Sequence, residues 1–109
     1  MKKIKTKAEL DEILEANGVS VTVLKFSADW CSPCRALANT INSLTAEESS
    51  GVEFVEVDVD EADEGFIEEY GIRNIPVMIF FKDGLIANKT VGLRTKQDLL
   101  TIIDEVKSK

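Results

Sequence analysis

The hydrophobic and polar positions of the chain change period several times, and each change marks an element. Ile4 stands among lysines and suits a short edge strand. Thr6 and Glu9 have capping-box spacing, and Leu10, Ile13 and Leu14 follow at helical intervals. Gly18 is placed to stop that helix. Residues 19–26 form an apolar, β-branched run that predicts a buried central strand. After Cys31, the positions Leu37, Ile41 and Leu44 mark one face of a second helix. Gly51 leads into a second buried strand over 52–59, with acidic residues alternating through its later half. Residues 60–70 read as a loop and a short helix closed by Gly71. Residues 76–81 are strongly apolar, and Asp83-Gly84 signals a tight turn. Residues 77–82 and 85–91 are therefore expected to pair as an antiparallel hairpin ended by Gly92. Thr95 and Asp98 cap a last helix with the stripe Leu99, Leu100, Ile102, Ile103 and Val106. This order predicts an α/β sandwich around a mixed sheet, parallel at its start and antiparallel at its end. No linker, repeat or break in composition interrupts it, so residues 1–109 are read as a single domain.

Composition narrows the chemistry. The chain has 109 residues, 44% of them hydrophobic, which is enough for one modest core. Its formal net charge is -7, the wrong sign for a protein built to neutralise nucleic-acid phosphates. It has two cysteines and no histidine. That excludes Ser-His and Cys-His pairs, imidazole proton shuttles and imidazole metal ligands. Two thiols alone do not close a structural zinc site. The lysine-rich start is followed by Ala8-Glu9-Leu10-Asp11-Glu12, which is no signal-peptide core, and no stretch approaches the ~18 apolar residues of a membrane span. The expectation is a cytoplasmic protein, where thiols are kept reduced and a close cysteine pair is catalytic rather than structural.

That pair lies in Phe26-Ser27-Ala28-Asp29-Trp30-Cys31-Ser32-Pro33-Cys34-Arg35, between a predicted strand and a predicted helix. Cysteines three apart at a helix start can close a small disulfide ring. Unpaired N–H groups and the helix dipole favour a thiolate on Cys31, and lowering a thiol pKa by ~1.5 units takes only ~2 kcal/mol. Cys34, one turn inside, is expected to be more buried. Cys31 is then the nucleophile toward a substrate disulfide, and Cys34 resolves the mixed disulfide. The plainer alternatives are two ordinary buried cysteines, or a metal clip completed by a second protomer.

At this point the chain resembles the thioredoxin family. Trp30-Cys31-Ser32-Pro33-Cys34-Arg35 is similar to the family's W-C-G-P-C-K/R, and Tyr70-Gly71-Ile72-Arg73-Asn74-Ile75-Pro76 to its Y-G-I-R-G/S-I-P. Phe81-Lys82-Asp83-Gly84 and Val91-Gly92 follow in order, so the resemblance covers nearly the whole chain. It implies a thioredoxin fold, with about five strands flanked by about four helices, and a protein disulfide reductase of the bacterial W-C-S-P-C type. It implies no bound cofactor beyond the redox-active Cys31–Cys34 disulfide, with reducing equivalents passed from NADPH through a flavoprotein reductase. The implied partners are a thioredoxin reductase and disulfide-containing clients, with no nucleic acid, no membrane and a monomeric state. It also makes Pro76 a cis-proline facing the cysteines, whose Ile75 backbone groups pair with an extended client strand. On sequence alone Pro76 also suits a trans proline opening a strand. Trp30, Pro33, Ile75, Pro76, Val91 and Gly92 would surround the cysteines as the client-binding surface. Trp30 is alternatively a core aromatic, and Gly92 a strand-end turn residue. Two other functions stay open: an interaction subunit with incidental thiols, and a reductase dedicated to one client.

The chain departs from the family in three places. Ser32 stands where glycine is common, either donating to a thiolate or simply solvated. Asn39 replaces a helix-kinking proline. Lys25 occupies the place of a buried aspartate that is thought to help deprotonate the second cysteine. An ammonium inside Val23-Leu24-Lys25-Phe26 requires a partner. The family's usual lysine partner corresponds here to Glu56, so the pair is inverted in sign. Glu56, or Lys25 as a transient neutral amine, is a candidate relay for the Cys34 proton; the alternative is a purely structural ion pair.

The remaining charges carry less. Lys2, Lys3, Lys5 and Lys7 are expected to form a solvated edge. Asp58, Asp60, Glu61, Asp63 and Glu64 are expected to form a solvated acidic loop, since no register matches a calcium-binding loop and no metal site is expected.

Overall fold

The computed structural model describes residues 1–16 and 20–109. Its elements in chain order are β1 (Lys2–Ile4), α1 (Lys7–Glu15), β2 (Val21–Ser27), α2 (Ser32–Asn42), β3 (Val52–Asp58), α3 (Glu64–Glu69), β4 (Val77–Lys82), β5 (Leu85–Val91) and α4 (Lys96–Lys107). The strands form one sheet of order β1-β3-β2-β4-β5. β1 and β2 lie parallel to β3, whereas β4 lies antiparallel to both β2 and β5. This is the expected mixed sheet with four helices. The expected helix stop at Gly18, and the start of the first long strand at Val19, lie outside the described residues.

The period-two alternation of β2 explains the layering. Leu24 and Phe26 face one side, where they pack with Ile4, Leu10, Ile13 and Phe66 of β1, α1 and α3. Val21 and Val23 face the other, against Leu37 and Ile41 of α2 and Leu99, Ile103 and Val106 of α4. Every β2 residue is buried, as its central position requires. Leu44, expected on the α2 stripe, lies beyond the helix end but still packs on that core. Leu100 and Ile102 of the α4 stripe are half-buried.

Helix starts follow the expected capping. The Thr6 and Thr95 hydroxyls accept the Glu9 and Asp98 N–H groups at 3.2 and 3.1 Å. The Glu9 carboxylate reaches back to the Lys5 N–H at 3.0 Å, one residue before the cap, which holds it below the usual carboxylate pKa. In the hairpin turn Asp83 and Gly84 both have positive φ, 51° and 84°, matching the right-handed strand twist.

One expectation about charge is corrected. Asp58 is not solvated: it is buried at the end of β3, and its carboxylate accepts the Asp60 N–H at 2.9 Å, turning the chain out of the strand. Lys2, Lys3 and Lys5 form the solvated edge expected of them. Lys3 and Lys5 approach Glu61 at 3.9 Å, and Lys7 reaches Asp11 at 3.0 Å and Glu69 at 3.8 Å. The basic edge thus lies against the acidic loop, although such exposed pairs contribute only about 0–1 kcal/mol each.

Candidate active site at the start of α2

The parallel β2–β3 pair delivers the chain to α2 at one end of the sheet. Cys31 is the N-cap of α2 with extended backbone, Pro33 sits in the first turn, and Cys34 follows one turn in. The two cysteines are joined in a disulfide, with Cα atoms 5.2 Å apart. The Cys34 N–H donates to Cys31 Sγ at 3.2 Å, so the sulfur takes the place of a capping oxygen. Cys34 is the more buried, at 2% exposure against 5% for Cys31, but the difference is small. What separates the two residues is what surrounds them.

Cys31 lines an open groove of about 390 Å³ with Trp30, Ser32, Pro33, Arg73, Asn74 and Ile75. Its Sγ is 4.0 Å from the Ile75 carbonyl oxygen. The Ile75–Pro76 bond is cis, as the resemblance implied. The loop before it is anchored by Tyr70, whose ring packs on Phe26 and Phe66 at 6.0 and 5.7 Å between centroids. Burial raises the Tyr70 phenol above its ordinary pKa. Gly71 then turns the chain with φ +63° toward the groove. Trp30 is no core aromatic: it is 68% exposed, and its Nε1 donates to Asp60 at 2.8 Å. Val91 and Gly92 stand beside the groove rather than in its lining. Val91 is exposed opposite Val77, and the Gly92 N–H donates to the Pro76 carbonyl at 2.8 Å.

Cys34 lines a different cleft of about 340 Å³, with Lys25, Ser27, Ala28, Asp29, Arg35, Ala38 and Glu56. Lys25 and Glu56 are direct partners in the β2–β3 register and face the α2 side of the sheet. Lys25 is 1% exposed, and its Nζ lies 3.4 Å from Glu56 Oε1. The inverted pair expected from sequence therefore forms, and it borders the space beside the second cysteine. Glu56 also accepts a 2.7 Å hydrogen bond from Ser27 Oγ.

Asp60 and Ser27 are the partners that sequence reasoning missed. The sequence marks Asp60 only as part of an acidic loop. Ser27 is two residues from Lys25, so strand alternation was the signal that placed it on the same face. Among the described residues, no group of three or more His, Cys, Asp or Glu side chains is arranged to hold a metal ion.

Comparison with known proteins agrees with this geometry. The thioredoxin family model matches residues 2–105. A thioredoxin of Mycoplasmoides gallisepticum is 42% identical over 94% of this chain and 99% of its own length. A thioredoxin of Staphylococcus aureus is 32% identical over 92% of each chain. The X-ray structure of Fasciola hepatica thioredoxin superposes with TM-score 0.84 at 32% identity, covering 96% of this chain and 98% of that one. The intact cysteine pair favours redox chemistry over an interaction subunit with incidental thiols. The chain belongs to the thioredoxin family, and its Cys31–Cys34 pair makes it a dithiol–disulfide oxidoreductase.

Proposed function

We propose that this enzyme works mainly as a reductant of protein disulfides, with Cys31 as nucleophile and Cys34 as resolving thiol. The observation that carries this reading is the 3.2 Å hydrogen bond from the Cys34 N–H to Cys31 Sγ at the α2 N-terminus. In the dithiol form the same donor and the helix dipole favour a thiolate there.

The Cys31 thiolate attacks one sulfur of a client disulfide. A bond forms between Cys31 and the client, and the client's other sulfur leaves as a thiolate that takes up a proton. Cys34 then loses its proton and attacks Cys31 Sγ. The Cys31–Cys34 bond forms, the second client thiol departs, and two electrons have passed to the client. Glu56 is the acceptor for the Cys34 proton through the cleft both residues line, while Lys25 and Ser27 hold its Oε1.

Trp30, Pro33, Ile75 and Pro76, with Val91 and Gly92 at the groove's end, receive the client segment. The Ile75 carbonyl offers it a backbone acceptor. Thioredoxins carry no cofactor, and members of the family work with a thioredoxin reductase and disulfide clients. Electrons reach this chain from NADPH through a flavoprotein reductase. It acts as a single-domain monomer in the cytoplasm.

The test is dithiothreitol-driven reduction of a model protein disulfide. The parent accelerates it, Cys31→Ser abolishes the acceleration, and Cys34→Ser accumulates a mixed disulfide visible on non-reducing gels. No acceleration by the parent overturns the reading. A Cys31/Cys34 potential near about -270 mV supports a reductant, whereas one near about -120 mV marks an oxidant.

A further inference from the structure

The three arginines of this acidic chain are Arg35, Arg73 and Arg94. Arg35 follows Cys34 and is used within the protein, its Nη1 donating to the Asp29 carbonyl at 2.6 Å. Arg73 is exposed and lines the Cys31 groove. Arg94 follows Gly92, which is hydrogen-bonded to Pro76 at 2.8 Å, so its segment runs beside the Arg73–Pro76 loop. Its guanidinium folds back over that segment: Nη1 donates to the Leu93 carbonyl at 3.1 Å and lies 4.0 Å from where a Cβ at Gly92 would stand. Among the described residues, neither Arg73 nor Arg94 forms an ion pair, although the chain has 20 carboxylate side chains. The exposed N-terminal lysines, by contrast, lie against carboxylates.

The opposite side of the groove has the opposite sign. Trp30 Nε1 fixes the Asp60 carboxylate at 2.8 Å. The groove therefore has an acid beside Trp30 on one side and the Arg73 guanidinium on the other, with Arg94 on the segment that Gly92 ties to Pro76. Guanidinium groups without an internal carboxylate partner present planar, paired donors suited to carboxylates.

We propose that Arg73 and Arg94 are specificity determinants, selecting client segments that carry aspartate or glutamate next to the disulfide cysteine. This rests on the reading of the groove as the client-binding surface. A carboxylate on the client meets a guanidinium at the Pro76 side, and a lysine there is disfavoured by like charge. The preference acts at contact range, because salt screens charges beyond roughly 8 Å at physiological ionic strength. The overall charge of -7 does not supply it, since that charge repels acidic clients.

The test compares kcat/KM for three disulfide-linked peptides that differ only in flanking residues: glutamate, glutamine or lysine. The parent should favour the glutamate over the glutamine peptide by about two- to five-fold, and the lysine peptide should be slowest. Arg73→Gln with Arg94→Gln should collapse the glutamate-to-glutamine ratio toward one, as should raised salt. Lys109→Gln removes one positive charge at the far end of β5 and should leave the ratio intact, as each single Arg→Gln variant should not. Equal rates for all three peptides with the parent overturn the proposal, and so does a ratio lost equally in Lys109→Gln. Failure to reduce even the glutamine peptide would instead count against the reductase reading itself.

Discussion

Glu56 Oε1 receives two donors on the α2 side of the sheet, Lys25 Nζ at 3.4 Å and Ser27 Oγ at 2.7 Å. The three residues are unequal in their access to water. Lys25 is 1% exposed, whereas the Glu56 side chain is 24% exposed. Removing the carboxylate therefore strands a buried ammonium, while removing the ammonium leaves a carboxylate that water can still reach. We predict that Glu56→Gln lowers unfolding free energy by about 2–4 kcal/mol and Lys25→Met by less than about 1 kcal/mol, in chemical denaturation. If Glu56 relays the Cys34 proton, Glu56→Gln also slows decay of the mixed disulfide by about tenfold in rapid-quench measurements between pH 6 and 9. Unchanged decay in both variants removes the relay and leaves an ion pair with a structural role only. The Lys25–Glu56 contact was legible beforehand because an ammonium inside an apolar strand demands a counter-charge. Trp30–Asp60 was not, because nothing local in either segment distinguishes that acid from its neighbours in the loop.

At the scale of elements, the long strands and helices could be read from periodicity because each buries one stripe or one face. The hairpin of β4 and β5 has the bounds expected from sequence, since Asp83-Gly84 fixes turn type and register together. Between β4 and β5 the pairing still slips at Phe80 and Phe81 of β4, which face Asn88 and Ile86, an irregularity with no signature in the residues. Where strand became loop, reading was weaker: burial of Asp58 depends on the turn it makes with Asp60. The turn offers a clean measurement. Gly84 has φ +84° and open space where a Cβ would go, so Gly84→Ala adds backbone strain without a clash. Its expected cost is about 1–2 kcal/mol, seen as a drop in Tm with little change in disulfide exchange rate. The site itself is a product of element ends: the β2–α2 junction holds the cysteines, and the approach to β4 holds the cis proline.

Across the whole molecule, charge is distributed in a way that net charge conceals. Two half-buried carboxylates are held below their ordinary pKa by backbone N–H groups at loop and helix starts. They are Glu9, bonded to Lys5 N–H, and Glu48, bonded to Thr45 N–H and close to Lys96. A lowered folded-state pKa stabilises the fold above the unfolded carboxylate pKa, and that contribution disappears as pH falls through the folded value. Denaturation midpoints should accordingly fall on acidification below about pH 4.5, and Glu9→Gln with Glu48→Gln should flatten that fall. The inverted Lys25–Glu56 pair has a consequence on a longer timescale. Starting from this chain, Lys25→Asp alone sets two carboxylates together on β2 and β3, and Glu56→Lys alone sets two ammonium groups together. Either step leaves uncompensated charge beside a buried position. The two sign orders are thus separate evolutionary basins. A lineage in one does not drift into the other by single charge reversals without crossing a destabilised ancestor.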